Sequence, residues 1–349
     1  MVSFYSLPIK TIKKETSKAV SIEFEVPQDL TDAFKFKAGQ YVTLKANING
    51  SEVRRDYSIC TNPNEAVLKV VVKEVENGVF STYANQRLKN GDVLEVAPPN
   101  GRFVLEGNQD ENVVLFAAGS GITPVMSILK TVLSETSSKV LLVYGNKSPE
   151  DTIFRNNLIE LQKEYINRFN TQFVYSQFDE ADALFGRIDK SVVNFTLKNK
   201  FSETQFSKFY LCGPEEMINT VKSTLVENGI DTSNILYELF TASASTEGED
   251  VSNIPDGNAE VTVLIDDEEE VFVMSKNKTI LEAALEVNID APYSCQGGVC
   301  SSCLAKITKG KAEMRVNNIL TDDEIEEGFV LTCQAQPLSD TIYVDYDDV

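Results

Sequence analysis

The sequence predicts a multidomain protein in which an antiparallel β-barrel is followed by an α/β domain with a parallel sheet and then by a small α+β domain of the β-grasp type. Three observations support this order: alternating β-branched runs at the start, strands alternating with helical stretches in the middle, and a separate short block at the end. The 349 residues suffice for three cores, and the 42% hydrophobic content is typical of globular proteins.

The first domain is predicted over residues 1–106. Runs such as "SIEFEV", "YVTLKANI" and "VLKVVVKEV" alternate apolar and polar residues, and turn signals such as "AGQ" and "KNGD" separate them. The second domain is predicted over residues 110–240, where "NVVLFAAG", "PVMSILKTVLSE" and "KVLLVYGN" read as strand, helix and strand. Parallel sheets of this kind bind ligands at the carboxyl ends of their strands.

The third domain is predicted over residues 259–349. It follows a polar stretch at 241–258, "TASASTEGEDVSNIPDGN", which has no apolar periodicity and is interpreted as a linker. Two strands in "EVTVLIDDEEEVFVMS" and a helix in "TILEAALEV" then begin the domain.

Charge and hydropathy limit the classes of partner. The net charge of −21 argues against nucleic acid, which requires a face rich in Lys and Arg. No run approaches the roughly 18 apolar residues of a membrane span, and the start lacks a secretory signal, so we expect a cytoplasmic protein without a membrane partner. Residues 257–349 carry 6 Lys and Arg against 19 Asp and Glu, which indicates either solubility or an acidic docking face.

Four of the six cysteines have the spacing of a metal site. Cys295, Cys300 and Cys303 form C-x4-C-x2-C, and Cys333 follows after 29 residues, which is the plant-type [2Fe-2S] ligand pattern. Structural zinc is the alternative, but its ligands usually come as two close pairs. The chain has no histidine, which excludes mixed zinc sites and the Rieske type. Glycines and serines inside the loop allow N–H groups to point at the sulfurs.

This block resembles plant-type ferredoxins. The preceding 240 residues resemble the ferredoxin-NADP reductase superfamily through four ordered motifs: "RRDYSIC" at 54–60, "GVFSTY" at 78–83, "AAGSGITP" at 117–124 and "YLCGPEEMI" at 210–218. No single motif is specific, but their order in one chain is.

The resemblance implies an FAD site in the first domain. Arg55 suits a phosphate, the Tyr57 ring suits stacking on the isoalloxazine, and the Ser58 hydroxyl suits a hydrogen bond near the flavin N5. The segment after "NG" would give backbone N–H groups to the pyrophosphate, although an ordinary hairpin turn is an alternative for it. The further cofactor-binding residues implied there are Val72, Lys73, Gly78, Val79, Phe80 and Ser81.

The resemblance also implies a nucleotide site in the second domain. The glycine-rich loop would bind phosphate at a helix start, with the proline expected at the first helical position. Its implied residues are Gly119, Ser120, Gly121, Thr123 and Pro124. Cys212, Gly213 and Pro214 would lie beside the nicotinamide, with Glu238 and Phe240 near the flavin. We therefore expect Ser58, Cys212 and Glu238 to be the catalytic residues.

The nucleotide itself is predicted to be NADPH, with NADH possible. The strand "VLLVYGN" ends without the acidic residue that would bind a ribose 2′-hydroxyl, and Lys147, Ser148 and Arg155 could instead receive a 2′-phosphate. The stretch from Ser148 is also compatible with an ordinary helix start.

The domain order resembles that of reductase components of multicomponent oxygenases, in particular those of aromatic degradation. It implies an NAD(P)H-dependent oxidoreductase whose electrons pass from NADPH through FAD and the [2Fe-2S] cluster to an oxygenase. Two alternatives stay open: a reductase that serves a different oxygenase or a soluble ferredoxin, and a non-enzymatic iron-sulfur interaction protein.

Overall fold

A computed structural model describes residues 3–106, 111–240, 257–265 and 267–349 of the protein. Two compact units are distinguished, one formed by Phe4–Phe240 and the other containing the C-terminal part of the chain. The predicted boundary near 106–110 and most of the predicted linker at 241–258 lie outside the described residues. The three-domain division therefore stays a proposal. Asn258, the last residue of the predicted linker, already lies in the first strand of the C-terminal unit.

The N-terminal sheet has six antiparallel strands in the order β4-β3-β6-β1-β2-β5. The two outer strands meet through a bridge between Ile59 and Val70, which closes the sheet into the predicted barrel. A short helix, α1, packs beside it and ends near Gln86. The elements are β1 (Tyr5–Thr16), β2 (Ala19–Phe24), β3 (Tyr41–Ile48), β4 (Ser51–Ser58), β5 (Lys69–Lys73), α1 (Val79–Gln86) and β6 (Val93–Val96).

The second sheet has six parallel strands in the order β10-β9-β8-β7-β11-β12, as the alternation of strands and helices predicted. Its strands are β7 (Val113–Ala118), β8 (Val140–Asn146), β9 (Phe169–Tyr175), β10 (Leu184–Phe185), β11 (Lys208–Gly213) and β12 (Ile235–Leu239). Its helices are α2 (Ile122–Glu135), α3 (Arg155–Glu164), α4 (Lys190–Asn194) and α5 (Glu215–Glu227).

Strand order reverses between β7 and β11. From β7 the chain adds β8, β9 and β10 on one side of the sheet, and then crosses back to place β11 and β12 on the other side of β7. Such a switch point opens a crevice at the carboxyl ends of the strands, where ligands bind. Both Gly119 and Cys212 lie at this end. The barrel packs against this domain, where the Ser127 hydroxyl donates to the Thr61 carbonyl at 2.6 Å.

The C-terminal unit has a five-stranded sheet in the order β14-β13-β19-β15-β17 and a two-stranded ribbon of β16 and β18. Its apolar core includes Cys303 and Cys333. The elements are β13 (Asn258–Ile265), β14 (Glu268–Ser275), α6 (Ile280–Glu286), β15 (Leu304–Lys309), β16 (Ala312–Met314), α7 (Asp322–Glu326), β17 (Phe329–Leu331), β18 (Ala335–Pro337) and β19 (Thr341–Asp345).

Candidate active site and cluster site

The three residues predicted to be catalytic come together at the junction of the barrel and the parallel sheet. Ser58 ends β4, whereas Cys212 and Glu238 face each other as direct register partners on β11 and β12. The Ser58 hydroxyl donates a hydrogen bond to the Glu238 carboxyl. A hydroxyl, a thiol and a carboxyl from three separate strands therefore form one cluster.

Glu238 supplies the carboxyl of this cluster, and its pKa is strongly perturbed. Burial raises the pKa of Glu238 to about 8, the charge of Asp56 adds to the shift, and the bond from Ser58 opposes it. Its Oε2 atom is buried and accepts no hydrogen bond from any described residue. A buried oxygen of this kind normally has a partner, so the site fits a bound group that presents a donor there.

Cys212 lies against the glycine loop. Its side chain is fully buried, and burial, with the charge of Glu238, raises the pKa of the thiol well above its usual range. The group therefore stays a neutral thiol rather than a nucleophile. A Cβ atom on Gly121 would stand 2.1 Å from the Cys212 carbonyl oxygen, so only glycine allows this approach.

The predicted flavin residues share one face of the barrel. The side chain of Tyr57 packs on the buried ring of Phe80, with centroids 5.5 Å apart, and Arg55 projects from the same face of β4 into solvent. Helix α1 begins at Val79 after Gly78, so the hairpin alternative for this segment is wrong. The first N–H groups of a helix lack intrahelical acceptors and attract phosphate. Arg55 and this helix start therefore fit a pyrophosphate.

The other predicted residues of the barrel have supporting positions. Ser81 accepts a bond from the Val75 N–H at 3.2 Å and donates to the Gly78 carbonyl at 3.3 Å, which fixes the loop before α1. The Val72 side chain is buried in the barrel core, so only its backbone is available to a cofactor. Lys73 reaches the glycine loop, with Nζ 3.3 Å from the position of a Cβ on Gly119, and burial lowers the pKa of this ammonium.

The glycine loop forms a 3-10 turn over Gly119–Gly121 between β7 and α2. Gly119 has a φ of 56°, and its carbonyl accepts a bond from the Tyr144 hydroxyl at 2.9 Å. Thr123 donates to the Ser120 carbonyl at 3.0 Å. Helix α2 begins at Ile122, so Pro124 occupies the third helical position and not the first. The missing N–H of Pro124 still removes no helical hydrogen bond there, because the first four N–H groups of a helix have no intrahelical acceptors.

The residues predicted to select the nucleotide follow β8, and their side chains are not equally accessible to a 2′-phosphate. Lys147 is exposed, and the Ser148 hydroxyl lies 3.2 Å from the Asp151 carboxylate. Arg155 is already paired, because its Nη2 lies 2.8 Å from Glu180 Oε1. The sequence pattern contained no sign of this pairing, which leaves Lys147 as the more accessible cation.

The remaining two predicted residues flank the site. Pro214 stands immediately before α5 with extended backbone, and its carbonyl accepts a bond from the Ile218 N–H at 3.1 Å. Phe240 is half-buried and packs against the apolar core of the nucleotide domain. The assignments of both as cofactor-binding residues stay predictions.

The four predicted cluster ligands converge as two pairs. The Sγ atoms of Cys295 and Cys300 are 3.0 Å apart, and the thiols of Cys303 and Cys333 hydrogen-bond each other. Among the residues that the structure describes, no three His, Cys, Asp or Glu side chains meet around one point as a single-ion site requires. Two thiol pairs instead suit two tetrahedral irons, each with two protein thiolates, as in a [2Fe-2S] cluster.

The backbone around these thiols is arranged for donors to face sulfur. The Gly297 N–H donates to Cys295 Sγ at 3.4 Å. Hydrogen bonds from Cys303, the Gly298 N–H and the Gln334 amide lower the pKa of Cys333, against the effect of burial. Gly298 has a φ of 69°, and a Cβ there would stand 2.9 Å from the Val316 carbonyl oxygen. The loop therefore requires glycine at this position and fits the cluster.

One residue near the active site was missed by the sequence analysis. Asp56 occupies the variable position of "RRDYS" and accepts a bond from the Thr43 hydroxyl at 2.6 Å. Side chains alternate between the two faces of a strand, so Asp56 lies on the same face as Ser58. This alternation is the feature of the sequence from which Asp56 could have been predicted.

Comparisons with known protein families agree with this geometry. Residues 6–105 match the oxidoreductase FAD-binding domain, residues 115–223 the oxidoreductase NAD-binding domain, and residues 263–338 the 2Fe-2S iron-sulfur cluster binding domain. These domains define an NAD(P)H-dependent oxidoreductase with FAD and a [2Fe-2S] cluster. Among the helices that the structure describes, none combines the length and the hydropathy that a membrane span requires.

The chain belongs to the family of ferredoxin reductase-like proteins with a C-terminal [2Fe-2S] domain, as the sequence motifs predicted. It is 36% identical to a subunit of 1,2-phenylacetyl-CoA epoxidase from Escherichia coli (strain K12), over 99% of each chain. It is 31% identical to the ferredoxin reductase component of 3-ketosteroid-9-alpha-monooxygenase from Rhodococcus rhodochrous, over 97% of this chain and 96% of the other. The structure of phthalate dioxygenase reductase matches at a TM-score of 0.62 with 25% identity, over 98% of both chains.

Proposed function

We propose that this protein passes electrons from NADPH to the oxygenase of a 1,2-phenylacetyl-CoA epoxidase system. The observation that carries the proposal is the 36% identity to a subunit of that enzyme across 99% of both chains, because the match includes all three domains. The proposal places the protein in the cytoplasm, where thiols are kept reduced and available to a cluster.

When bound, FAD supplies the conversion of two-electron chemistry at the nicotinamide into one-electron chemistry at the cluster. The chain's own residues do the binding and positioning. Arg55 and the N–H groups at the start of α1 suit the pyrophosphate, and Tyr57 supplies an aromatic face that Phe80 supports from below. Ser58 holds the Glu238 carboxyl, while the buried Cys212 excludes water from the same cluster.

The preference for NADPH rests on the residues after β8. No acidic side chain ends this strand, and the exposed Lys147 is free to approach a 2′-phosphate. In this proposal Arg155 contributes less to NADPH binding than the sequence suggested, because its guanidinium forms an ion pair with Glu180 over 2.8 Å.

A second candidate acceptor is supported by the 31% identity to the 3-ketosteroid-9-alpha-monooxygenase reductase component. The chemistry of the reductase sites would be the same with this oxygenase or with another one. Only the docking surface and the oxygenase itself distinguish the two candidates.

The acceptor is tested by reconstitution. The purified protein, loaded with FAD and cluster, is mixed with NADPH, phenylacetyl-CoA and the oxygenase components of the epoxidase, and the coupled epoxide product is measured. A parallel reaction contains the 3-ketosteroid oxygenase and its steroid. We expect product only in the first reaction. Product only in the second, with normal reduction of ferricyanide in both, would overturn the choice of acceptor but not the reductase activity.

The nucleotide preference is tested with Lys147→Ala. Loss of one charge-assisted contact with phosphate is worth about 1.5–3 kcal/mol, so we expect the KM for NADPH to rise roughly ten-fold or more while the KM for NADH is unchanged. Lys163→Ala, at the far end of α3, is the matched control. Equal KM values for the two nucleotides in the unmodified protein would contradict the preference.

A further inference from the structure

The loop after β9 places a carboxylate against one of the cations that the sequence assigned to the nucleotide. Glu180 follows β9, which ends at Tyr175, and its Oε1 atom lies 2.8 Å from Nη2 of Arg155. The side chains of Arg155 and Glu180 are 29% and 30% exposed, so a ligand in solution can reach the pair. Arg155 therefore has a partner inside the protein that any phosphate group would have to replace.

The two loops that carry this pair are both joined to the end of β8. The Gln177 N–H donates to the Lys147 carbonyl at 2.9 Å, which holds the loop after β9 beside the loop after β8. The Thr152 hydroxyl donates to the Ser148 carbonyl at 2.8 Å, and the Arg155 N–H donates to the Thr152 carbonyl at 3.3 Å. The pair therefore belongs to the carboxyl end of the parallel sheet, where a nucleotide is expected to bind.

The ion pair uses only part of the guanidinium. Nη2 of Arg155 faces Glu180, whereas the Nε–H is buried and has no hydrogen-bond acceptor among the described residues. Carboxylates and phosphates that bind Arg strongly often accept two parallel N–H bonds. The Phe173 ring supports the guanidinium from one side, with its centroid 5.9 Å from Cζ. The guanidinium is therefore oriented by the ring and only partly engaged by the carboxylate.

A 2′-phosphate and the Glu180 carboxylate would compete for the same cation. An ion pair that is partly exposed contributes little to stability, so a phosphate with a charge of about −1.5 to −2 can displace the carboxylate. The displaced carboxylate then stays near the phosphate as a like charge, which weakens binding. The ribose 2′-hydroxyl of NADH is uncharged and experiences neither effect. The competition therefore acts on NADPH and not on NADH.

We infer that Glu180 limits the selectivity of this protein for NADPH by occupying Arg155 whenever no 2′-phosphate is bound. Lys147 is the exposed cation from which the preference arises, and Arg155 adds to it only after Glu180 has been displaced. Glu180 acts through Arg155, so it is a positioning residue of the nucleotide site. The inference rests on the proposed function for the place of the ribose, but not on the choice of oxygenase.

The inference is tested with Glu180→Gln, which keeps the shape of the side chain and removes its charge. Isothermal titration calorimetry of the protein loaded with FAD and cluster gives the Kd values for NADP⁺ and NAD⁺ without turnover. We expect the Kd for NADP⁺ to fall about five-fold and the Kd for NAD⁺ to change by less than about two-fold. Asp179→Asn removes the same charge from the exposed neighbouring residue and should leave both values unchanged.

A double variant shows whether the effect passes through Arg155. When Arg155→Ala is already present, Glu180→Gln has no guanidinium to release, so we expect the Kd for NADP⁺ to change by less than about two-fold. A gain of about five-fold that persists in the double variant would show that Glu180 acts only as a nearby negative charge. That result would overturn the inference.

The experiment also separates the inference from the proposed preference for NADPH. Tighter binding of NAD⁺ than of NADP⁺ by the unmodified protein would contradict the preference, and a gain for NADP⁺ in Glu180→Gln would still support the inference. An unchanged Kd for NADP⁺ in Glu180→Gln would overturn the inference alone. Circular dichroism and FAD content show whether each variant is folded. If Glu180→Gln does not fold, Glu180→Ala replaces it and should produce the same gain.

Discussion

The cluster site and the flavin and nucleotide site are built in different ways. Three of the four cluster thiols come from one short loop, and the fourth follows the nearby strand β17. The other site takes its side chains from the barrel, from α1, from the loop before α2 and from two neighbouring strands of the parallel sheet. The first site is therefore local in sequence, whereas the second exists only after two domains have packed together.

This difference affects how each site responds to substitution. In the local site every thiol is a predicted direct ligand, so one change should remove the function. In the assembled site the work is shared by contacts of moderate strength, so single changes weaken binding or shift a pKa. The following predictions test this contrast, beginning with the largest expected effect.

Cys300→Ser is expected to abolish the [2Fe-2S] cluster, because its thiol is half of the first pair with Cys295. FAD should remain bound, and NADPH should still reduce ferricyanide. Iron content, the visible spectrum and ferricyanide turnover measure these effects. Cys60→Ser, buried in the apolar cluster that the barrel shares with the nucleotide domain, is the matched control. An intact cluster in Cys300→Ser would refute the ligand assignment.

Arg55→Ala is expected to weaken FAD binding on the order of 10- to 100-fold, because one charge-assisted contact with phosphate is worth about 1.5–3 kcal/mol. The start of α1 remains, so binding is reduced and not lost. Fluorescence titration of FAD measures the change. Arg87→Ala, at the opposite end of α1, should bind FAD normally. Equal affinity of the two variants would remove Arg55 from the site.

Glu238→Gln is expected to make the protein relatively more stable at high pH. The carboxyl has a pKa near its ordinary 4.5 when unfolded and about 8 when folded, so its favourable contribution is complete below 4.5 and is lost as pH rises through about 8. Glutamine does not ionise, so the variant does not lose this stability as pH rises. The difference in Tm between variant and unmodified protein should therefore grow from pH 6 to pH 9. The exposed Glu203→Gln should show a constant difference. A constant difference for Glu238→Gln as well would mean that its carboxyl is not perturbed.

The smallest expected effect concerns docking of the oxygenase. Asp322, Asp323, Glu326 and Glu327 are exposed on and after α7, whereas Glu324 caps that helix through Thr321. If this face binds a basic partner, Glu326→Gln with Glu327→Gln should slow oxygenase reduction a few-fold and leave ferricyanide turnover unchanged. The rate should also fall as salt exceeds about 0.1 M.

The control for docking is the opposite edge of the same sheet. Glu268→Gln with Glu270→Gln removes the same charge from β14, which is the strand farthest from β17. This variant should reduce the oxygenase at the normal rate. Equal slowing by both double variants would indicate a general effect of net charge, and the acidic residues would then serve solubility.

Prediction from sequence succeeded where chemistry follows local spacing. The cysteine spacing predicted the cluster type, which the 2Fe-2S domain match confirms, and the alternation of strands and helices predicted the parallel sheet. The four candidate ligands lie as two thiol pairs, and their role as ligands stays a prediction. The pairing of Arg155 with Glu180 and the effect of the Asp56 charge on the pKa of Glu238 were not predicted, because each joins residues that are distant in the chain. Pro124 was predicted to be the first residue of its helix but is the third, because the glycine turn ends at Gly121 and α2 already begins at Ile122. Helix boundaries depend on backbone geometry that the sequence pattern does not show.

The central claim is that electrons reach the cluster only through the flavin. It is tested most directly by adding NADPH anaerobically to the protein with its cluster intact and its FAD removed, and by following the electron paramagnetic resonance signal of the reduced cluster. We predict no signal without FAD, and a full signal once FAD is added back. A reduced cluster in the protein without FAD would contradict the account.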